Sequence, residues 1–214
     1  MIFFVGQHGS GKNTVAEILQ KDFRILHVDI SLALNEDKAI KAPAMNTSEW
    51  VNHVVTTHGL GYFAEVAKDA TLVITEKSIR QEQRNEEIIF TGCRSPDIMY
   101  PIRDMVVSRP DIFSEHLNSL RVVRIFAPRE ILVKRILQRD FGVSMQTIDN
   151  MLAGDMKHGL DKLFDIADTT IINTGSLADL RNSVHIMAEN NFGLKLKPII
   201  DYENREGHRV LKER

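Results

Sequence analysis

Cysteine is almost missing from this chain: Cys93 is the single one among 214 residues. It cannot form an intrachain disulfide, which fits a reducing compartment. Long apolar runs are missing too, and none approaches the ~20 residues that a bilayer-spanning helix needs. Neither sign of charge is in excess, because 27 Lys and Arg oppose 29 Asp and Glu for a formal net charge of −2. Such a balance leaves no general electrostatic footprint for nucleic acid or an anionic membrane, so a small anionic ligand would need a local cluster of positive charge. The first apolar run, Ile2–Val5, leads at once into a glycine-rich loop rather than a signal sequence, and the chain reads as cytoplasmic. Internal repeats and low-complexity tracts are also absent.

What is present is ordinary globular material. An apolar fraction of 43% and a charged fraction of 26% suit one α/β domain of this length. Short apolar runs at 2–5, 24–28, 88–90, 122–126 and 169–172 read as buried strands. After the first, Val15, Ile18, Leu19 and Phe23 have the spacing of a helix, and further helical stretches lie at about 48–84, 95–107, 129–140 and 176–190. That alternation implies right-handed βαβ crossovers and a three-layer α/β fold, a mainly parallel five-stranded sheet with helices on both faces. Ligands of such sheets bind outside the carboxyl ends of the strands, so the residues just after each strand are the candidates. The segment 46–86 exceeds a simple crossover and reads as a helical insertion over the sheet edge. Gly142, Gly154 and Gly159 among polar residues make about 141–160 a mobile flap or lid. The mixed-charge stretch 195–214 reads as a solvated tail after a domain of residues 1–194.

After the first strand comes Gly6-Gln7-His8-Gly9-Ser10-Gly11-Lys12-Asn13-Thr14, which matches G-x-x-x-x-G-K, the phosphate-binding P-loop. Glycines let the backbone N–H groups turn toward an anion, and the following helix aims its positive dipole end at the same place. Lys12 adds a point charge for the β- and γ-phosphates. Gly9, Ser10, Gly11, Lys12, Asn13 and Thr14 are therefore the candidate ATP phosphate site. Asn13 stands where Ser or Thr usually meets Mg²⁺. Either its amide oxygen ligates the metal, or the metal keeps a water there and Thr14 takes a phosphate oxygen. His8 is read as a variable loop-tip residue, with contact to the γ-phosphate as the alternative.

The other strand ends supply further candidates. Asp29 would hold or deprotonate an acceptor hydroxyl or reach Mg²⁺ through water; the alternative is a helix N-cap. In Thr91–Asp97, Gly92 would admit a ligand near the backbone, and Arg94 would clamp an acceptor phosphate with its planar fork. Ser95 followed by Pro96 is a regular helix start, and Cys93 is a small buried filler. Arg135 and Arg139 share a helix face beside the flap, where they would close on transferring phosphates or else pair with Asp140 and Glu130. The loop after the fifth strand, with Asn173 and Gly175, would pack on the purine, while Ser176 caps the last helix. Trp50 and Tyr62 would stack on a base or pack a groove.

With these segments placed, the chain resembles the small-molecule kinase branch of the P-loop superfamily, dephospho-CoA kinases and nucleoside monophosphate kinase-like proteins above all. Gly6–Glu17, Thr91–Asp97, Arg135–Asp140 and Ala167–Leu180 carry the resemblance. It covers about residues 1–190 and fades from 36 to 86, where such enzymes hold their acceptor. It implies ATP and Mg²⁺ as cofactors, with phosphates on Gly9, Gly11, Lys12, Asn13 and Thr14. It further implies acceptor chemistry near Asp29, an acceptor phosphate on Arg94, lid contact from Arg139 and adenine near Asn173 and Gly175. The partner would be a small phosphate-bearing acceptor, with no nucleic acid and no membrane. Two departures, Asn13 after the lysine and Thr91 before Gly92-Cys93-Arg94, also admit a nucleotide-binding regulatory protein with weak turnover. A GTPase is the weakest reading, for the Asn-Lys-x-Asp guanine signature is missing.

Overall fold

The computed structural model describes residues 1–81 and 87–196. Five strands, β1 (Ile2–Val5), β2 (Ile25–Asp29), β3 (Glu87–Thr91), β4 (Arg121–Phe126) and β5 (Thr169–Ile172), form one sheet in the order β2-β3-β1-β4-β5. Every pairing is parallel. The central β1 is buried along its whole length, as a strand covered on both faces must be. Its alternation divides the core. Phe3 and Val5 point into one apolar cluster, where Phe3 stacks on Phe90 at 4.4 Å between ring centres, while Ile2 and Phe4 point into another.

Two helices cover the second face, α1 (Lys12–Asp22) and α9 (Leu177–Phe192), through Val15, Leu19, Leu180 and Val184. The first face carries α2 (Ile30–Lys41), α3 (Thr47–His58), α4 (Gly61–Arg80), α5 (Pro96–Val107) and the short α8 (Asp161–Asp165). Between Arg129 and Asp155 the chain leaves the sheet as two helices, α6 (Arg129–Arg139) and α7 (Met145–Asp155). They pack on each other through a separate small cluster of Leu132, Ile136, Ile148 and Leu152.

The strands and the helices after β1, β3, β4 and β5 fall within a few residues of the expected places. Three stretches need a fuller description. The 48–84 stretch is two helices, because Gly59 (φ 73) ends α3 two residues before α4 begins. The 141–160 stretch, read as a flap from its glycines, is helical for most of its length: Ser144 caps α7 by accepting from the Thr147 amide, and a π-turn at Met156–Leu160 follows. Helix α2 is the third, since it buries only Ile30 and leaves almost no apolar stripe to read. Of the expected tail, only Lys195 and Leu196 lie within the described residues, and Leu196 bridges Phe23 antiparallel. Residues 82–86 of the expected helical insertion and 197–214 of the tail lie outside them. Among the described residues no helix is long and apolar enough to cross a membrane.

Gly92 has φ 81, and a Cβ there would sit 2.2 Å from Ser31 Oγ and 2.6 Å from the Ser31 amide nitrogen. The glycine thus admits the N-terminus of α2, and it also lines the cleft described below. Gly92→Ala should lower unfolding free energy by about 1–3 kcal/mol, strain and displacement acting together. Urea denaturation checks this, with the wild-type slope retained if only stability has changed.

Candidate functional site

The loop between β1 and α1 is shaped by two glycines at positive φ, Gly9 (76°) and Gly11 (97°). Each also stands against a wall: a Cβ on Gly11 would lie 2.4 Å from Asn173 Nδ2, and one on Gly9 3.0 Å from the Leu132 carbonyl oxygen. Gly11 is the N-cap of α1 and offers no side-chain hydrogen bond, and no acidic residue occupies the first turn. The positive end of this helix is therefore left for an outside anion. Lys12 Nζ meanwhile donates to the loop's own carbonyls, Gly6 O at 2.6 Å and Gln7 O at 3.0 Å. Burial pushes its amine down to about 8; Asp155 and Asp29 pull it back up, and Arg94 and Arg139 press it down. Ser10 Oγ is buried in the loop without a hydrogen-bond partner.

Behind the loop, Asn173 at the end of β5 acts as a brace. Its Nδ2 donates to Ser10 O at 2.8 Å, and its Oδ1 accepts from Arg135 at 3.1 Å. A second Arg135 nitrogen lies 3.4 Å from Gly9 O. Of the two arginines expected to close on phosphates, Arg135 thus reaches the loop. Arg139 lines the same cleft but turns its guanidinium to Asp140, at 2.8 and 2.7 Å, the pairing held open as its alternative. Gly175 abuts Asp179, which forms a capping box with Ser176 at the start of α9.

Asn13 and Asp29 come together, the Asn13 amide donating to Asp29 Oδ2 at 3.0 Å. The other Asp29 oxygen accepts from the amides of Ser31 and Leu32 at 2.9 and 3.2 Å, so Asp29 is the N-cap of α2. Ser95 caps α5 and Cys93 is a buried filler, both as expected; burial raises the Cys93 thiol to about 12. Trp50 is buried among Tyr62 and Phe63 with an edge on the cleft, and Tyr62 donates to Asp37 at 2.5 Å.

One group was not anticipated. Asp155, the last residue of α7, is 1% exposed and reaches the phosphate loop. Its Oδ2 accepts from the His8 amide and from His8 Nδ1, both at 2.9 Å. Its Oδ1 lies 3.2 Å from Arg94 Nε, within ion-pair distance though not aligned as a hydrogen bond. Arg94 closes the circuit with a nitrogen 2.9 Å from His8 Nε2. The pair and its hydrogen bonds outweigh burial and hold the Asp155 carboxyl below the usual carboxylate range, while burial pushes the His8 imidazole down. His8 is therefore no idle loop tip. Helical periodicity carried the missing signal: Ile148, Leu152 and Asp155 fall on one face of α7, so a charge sits in its apolar stripe.

These residues surround one cleft of about 1120 Å³. His8, Gly9, Gly11, Lys12, Asn13 and Thr14 form its floor. One wall comes from Asn173, Gly175, Ser176, Leu177 and Leu180, another from Ser31, Leu34, Trp50, Val51, Phe63, Ile98 and Arg94. Thr147, Asn150, Met151 and Gly154 of α7 roof it. The uncapped helix end, the desolvated lysine and the glycine cradle fit a polyphosphate. Asn13 and Asp29 bring an amide and a carboxylate to the same side of the loop, oxygen donors of the kind that Mg²⁺ takes.

Architecture and loop together define the three-layer P-loop kinase fold. Among solved structures, the chain is similar to TT1252 from Thermus thermophilus, with a TM-score of 0.50 and 20% identity over 88% of this chain and 96% of that one. It is also similar to shikimate kinase from Acinetobacter baumannii in complex with shikimate (TM-score 0.46, 20% identity, 89% and 93% covered) and to a sugar kinase from Janibacter sp. HTCC2649 (0.47, 13%, 85% and 89%). At these identities the likeness is one of fold alone. No protein-family model and no curated protein sequence matches the chain.

Lys12 makes the site sensitive to alkali. In the free protein the amine loses its proton as pH rises through about 8, and a bound polyphosphate favours the charged form. ATP affinity measured by calorimetry should be flat below that pH and weaken above it, by up to about tenfold per pH unit. Lys12→Met should remove this dependence.

Proposed function

We propose that the protein is an ATP-dependent phosphotransferase acting on a small phosphate-bearing or nucleotide-like acceptor. The observation that carries this reading is the convergence of Lys12, Arg94, Arg135 and Arg139 on a single cleft with room for two ligands. Its floor is built for a polyphosphate, and a separate, largely uncharged wall is built by α2, α3, α4 and α5. Bound ATP would supply the phosphoryl group. Gly9, Ser10, Gly11, Lys12, Asn13 and Thr14 would hold its phosphates, with the purine on Gly175 and the wall that Asn173 braces. Asn13 and Asp29 would share Mg²⁺. Arg94 would take the acceptor's phosphate, and Arg139, released from Asp140, would stabilise the transferring group as the helical roof at 141–160 closes. Helices α3 and α4 would set acceptor choice, and dephospho-CoA and nucleoside monophosphates are the acceptors to try first.

A second reading has its own support. Asp29 is occupied by α2 and Asn13, and Arg94 by Asp155, so the site as it stands suits a nucleotide-binding regulatory protein with weak or no transfer. A coupled ADP-release assay over dephospho-CoA, ribonucleotides and deoxyribonucleotides separates the two. The kinase reading expects robust turnover with one acceptor and its loss in Lys12→Ala. ATP binding without transfer to any acceptor supports the regulatory reading, and turnover unchanged in Lys12→Ala overturns the role of the loop.

A further inference from the structure

A transferring enzyme has to accommodate the proton of the attacking hydroxyl, and the expected base is badly placed to take it. Asp29 accepts from Ser31, Leu32 and Asn13, so both its oxygens are engaged. His8 lines the cleft, and its ring is held in a defined state. The Arg94 guanidinium can only donate, so the Nε2 that faces it at 2.9 Å must accept, which leaves the ring proton on Nδ1, directed at Asp155 Oδ2. Asp155 is ionised and buried, an arrangement that fixes one tautomer and stabilises an imidazolium once formed.

We propose that His8, oriented by Asp155, accepts the proton of the acceptor's attacking hydroxyl, and that Arg94 guards its lone pair until the acceptor docks. This rests on the kinase reading and assigns its base. An acceptor phosphate draws the Arg94 guanidinium onto itself and uncovers Nε2. The hydroxyl O–H bond then breaks with its proton passing to Nε2. The oxygen forms a bond to the terminal phosphorus of the nucleoside triphosphate co-substrate, and the bond to the bridging oxygen breaks with its electron pair leaving on the diphosphate. Asp155 lies on α7, so the ring is oriented only while that helix is docked on the loop, which ties proton acceptance to a closed roof.

The groups facing His8 are Asp155 on α7, Arg94 after β3, Lys12 at the head of α1 and Asp140 after α6. Nitrogen NMR of the imidazole should show the Nδ1–H tautomer, neutral at neutral pH. Asp155→Asn should abolish that preference and, by removing an anion, lower the pH at which the ring charges. In His8→Gln, kcat with the fastest acceptor should fall by about 10²-fold and the acid limb of its pH profile should vanish, while calorimetric ATP affinity stays within about threefold. An acid limb that persists in His8→Gln, or a kcat close to wild type, overturns this inference and leaves the kinase reading intact. Wild-type protein that binds ATP yet transfers to no acceptor overturns both. Should His8→Gln lose ATP affinity through misfolding, the wild-type tautomer decides: an Nε2–H ring overturns the proposal.

Discussion

A buried carboxylate among the cations of an anion-binding loop holds this site in its present form. Asp155 contacts His8 and Arg94 directly and its field reaches Lys12, whose amine it pulls up against the cost of burial. Without it, Arg94 and Lys12 would face each other as like charges in a medium that screens poorly. Beside these contacts, Gln7 donates to Leu152 O at 3.5 Å, while the apolar cluster of α6 and α7 joins these two helices to each other. The same cations that would receive a phosphate therefore hold the roof. Occupancy of the cleft and the position of α7 are linked, because an incoming anion and Asp155 compete for one set of charges.

The parallel sheet makes that competition local. β1 lies between β3 and β4, so its loop opens beside the ends of both, and Arg94 after β3 meets His8 across a distance of one side chain. Asn173 after β5 locks the far side by gripping Ser10 O, and Arg135 from α6 grips Asn173 and Gly9 in turn. Loop shape is thus fixed by groups more than 100 positions away in sequence. The glycines at 9 and 11 allow it, since side chains there would drive these walls off.

How much of this could be read from the sequence depended on whether the signal was local. Buried parallel strands are short unbroken apolar runs, and the loop is a contiguous motif, so both stood out. Ser95 and Ser176 announced their helices for the same reason, a cap and its helix being neighbours in the chain. At Gly92 a positive φ says only that something comes close, and the sequence does not name Ser31 as the neighbour. Arg135 and Arg139 share a helix face, and spacing alone does not tell which finds a carboxylate beside it first. Asp155 was hidden by Gly142, Gly154 and Gly159, whose presence reads as a loop although Gly154 sits inside a helix whose tertiary packing overrides its low propensity.

Asn13 shows how a departure from a motif can be reconciled with the motif's chemistry. A serine or threonine hydroxyl after the lysine uses one oxygen for two tasks, donating to a nearby carboxylate and offering a lone pair to the metal. An asparagine divides them between two atoms. Nδ2 donates to Asp29 at 3.0 Å, and Oδ1 would remain for the cation under the proposed function. The longer side chain also reaches Asp29 when that residue is drawn toward α2 as its cap. The substitution and the cap are then two halves of one arrangement: a carboxylate held back by its own helix needs a longer partner to stay joined to the loop.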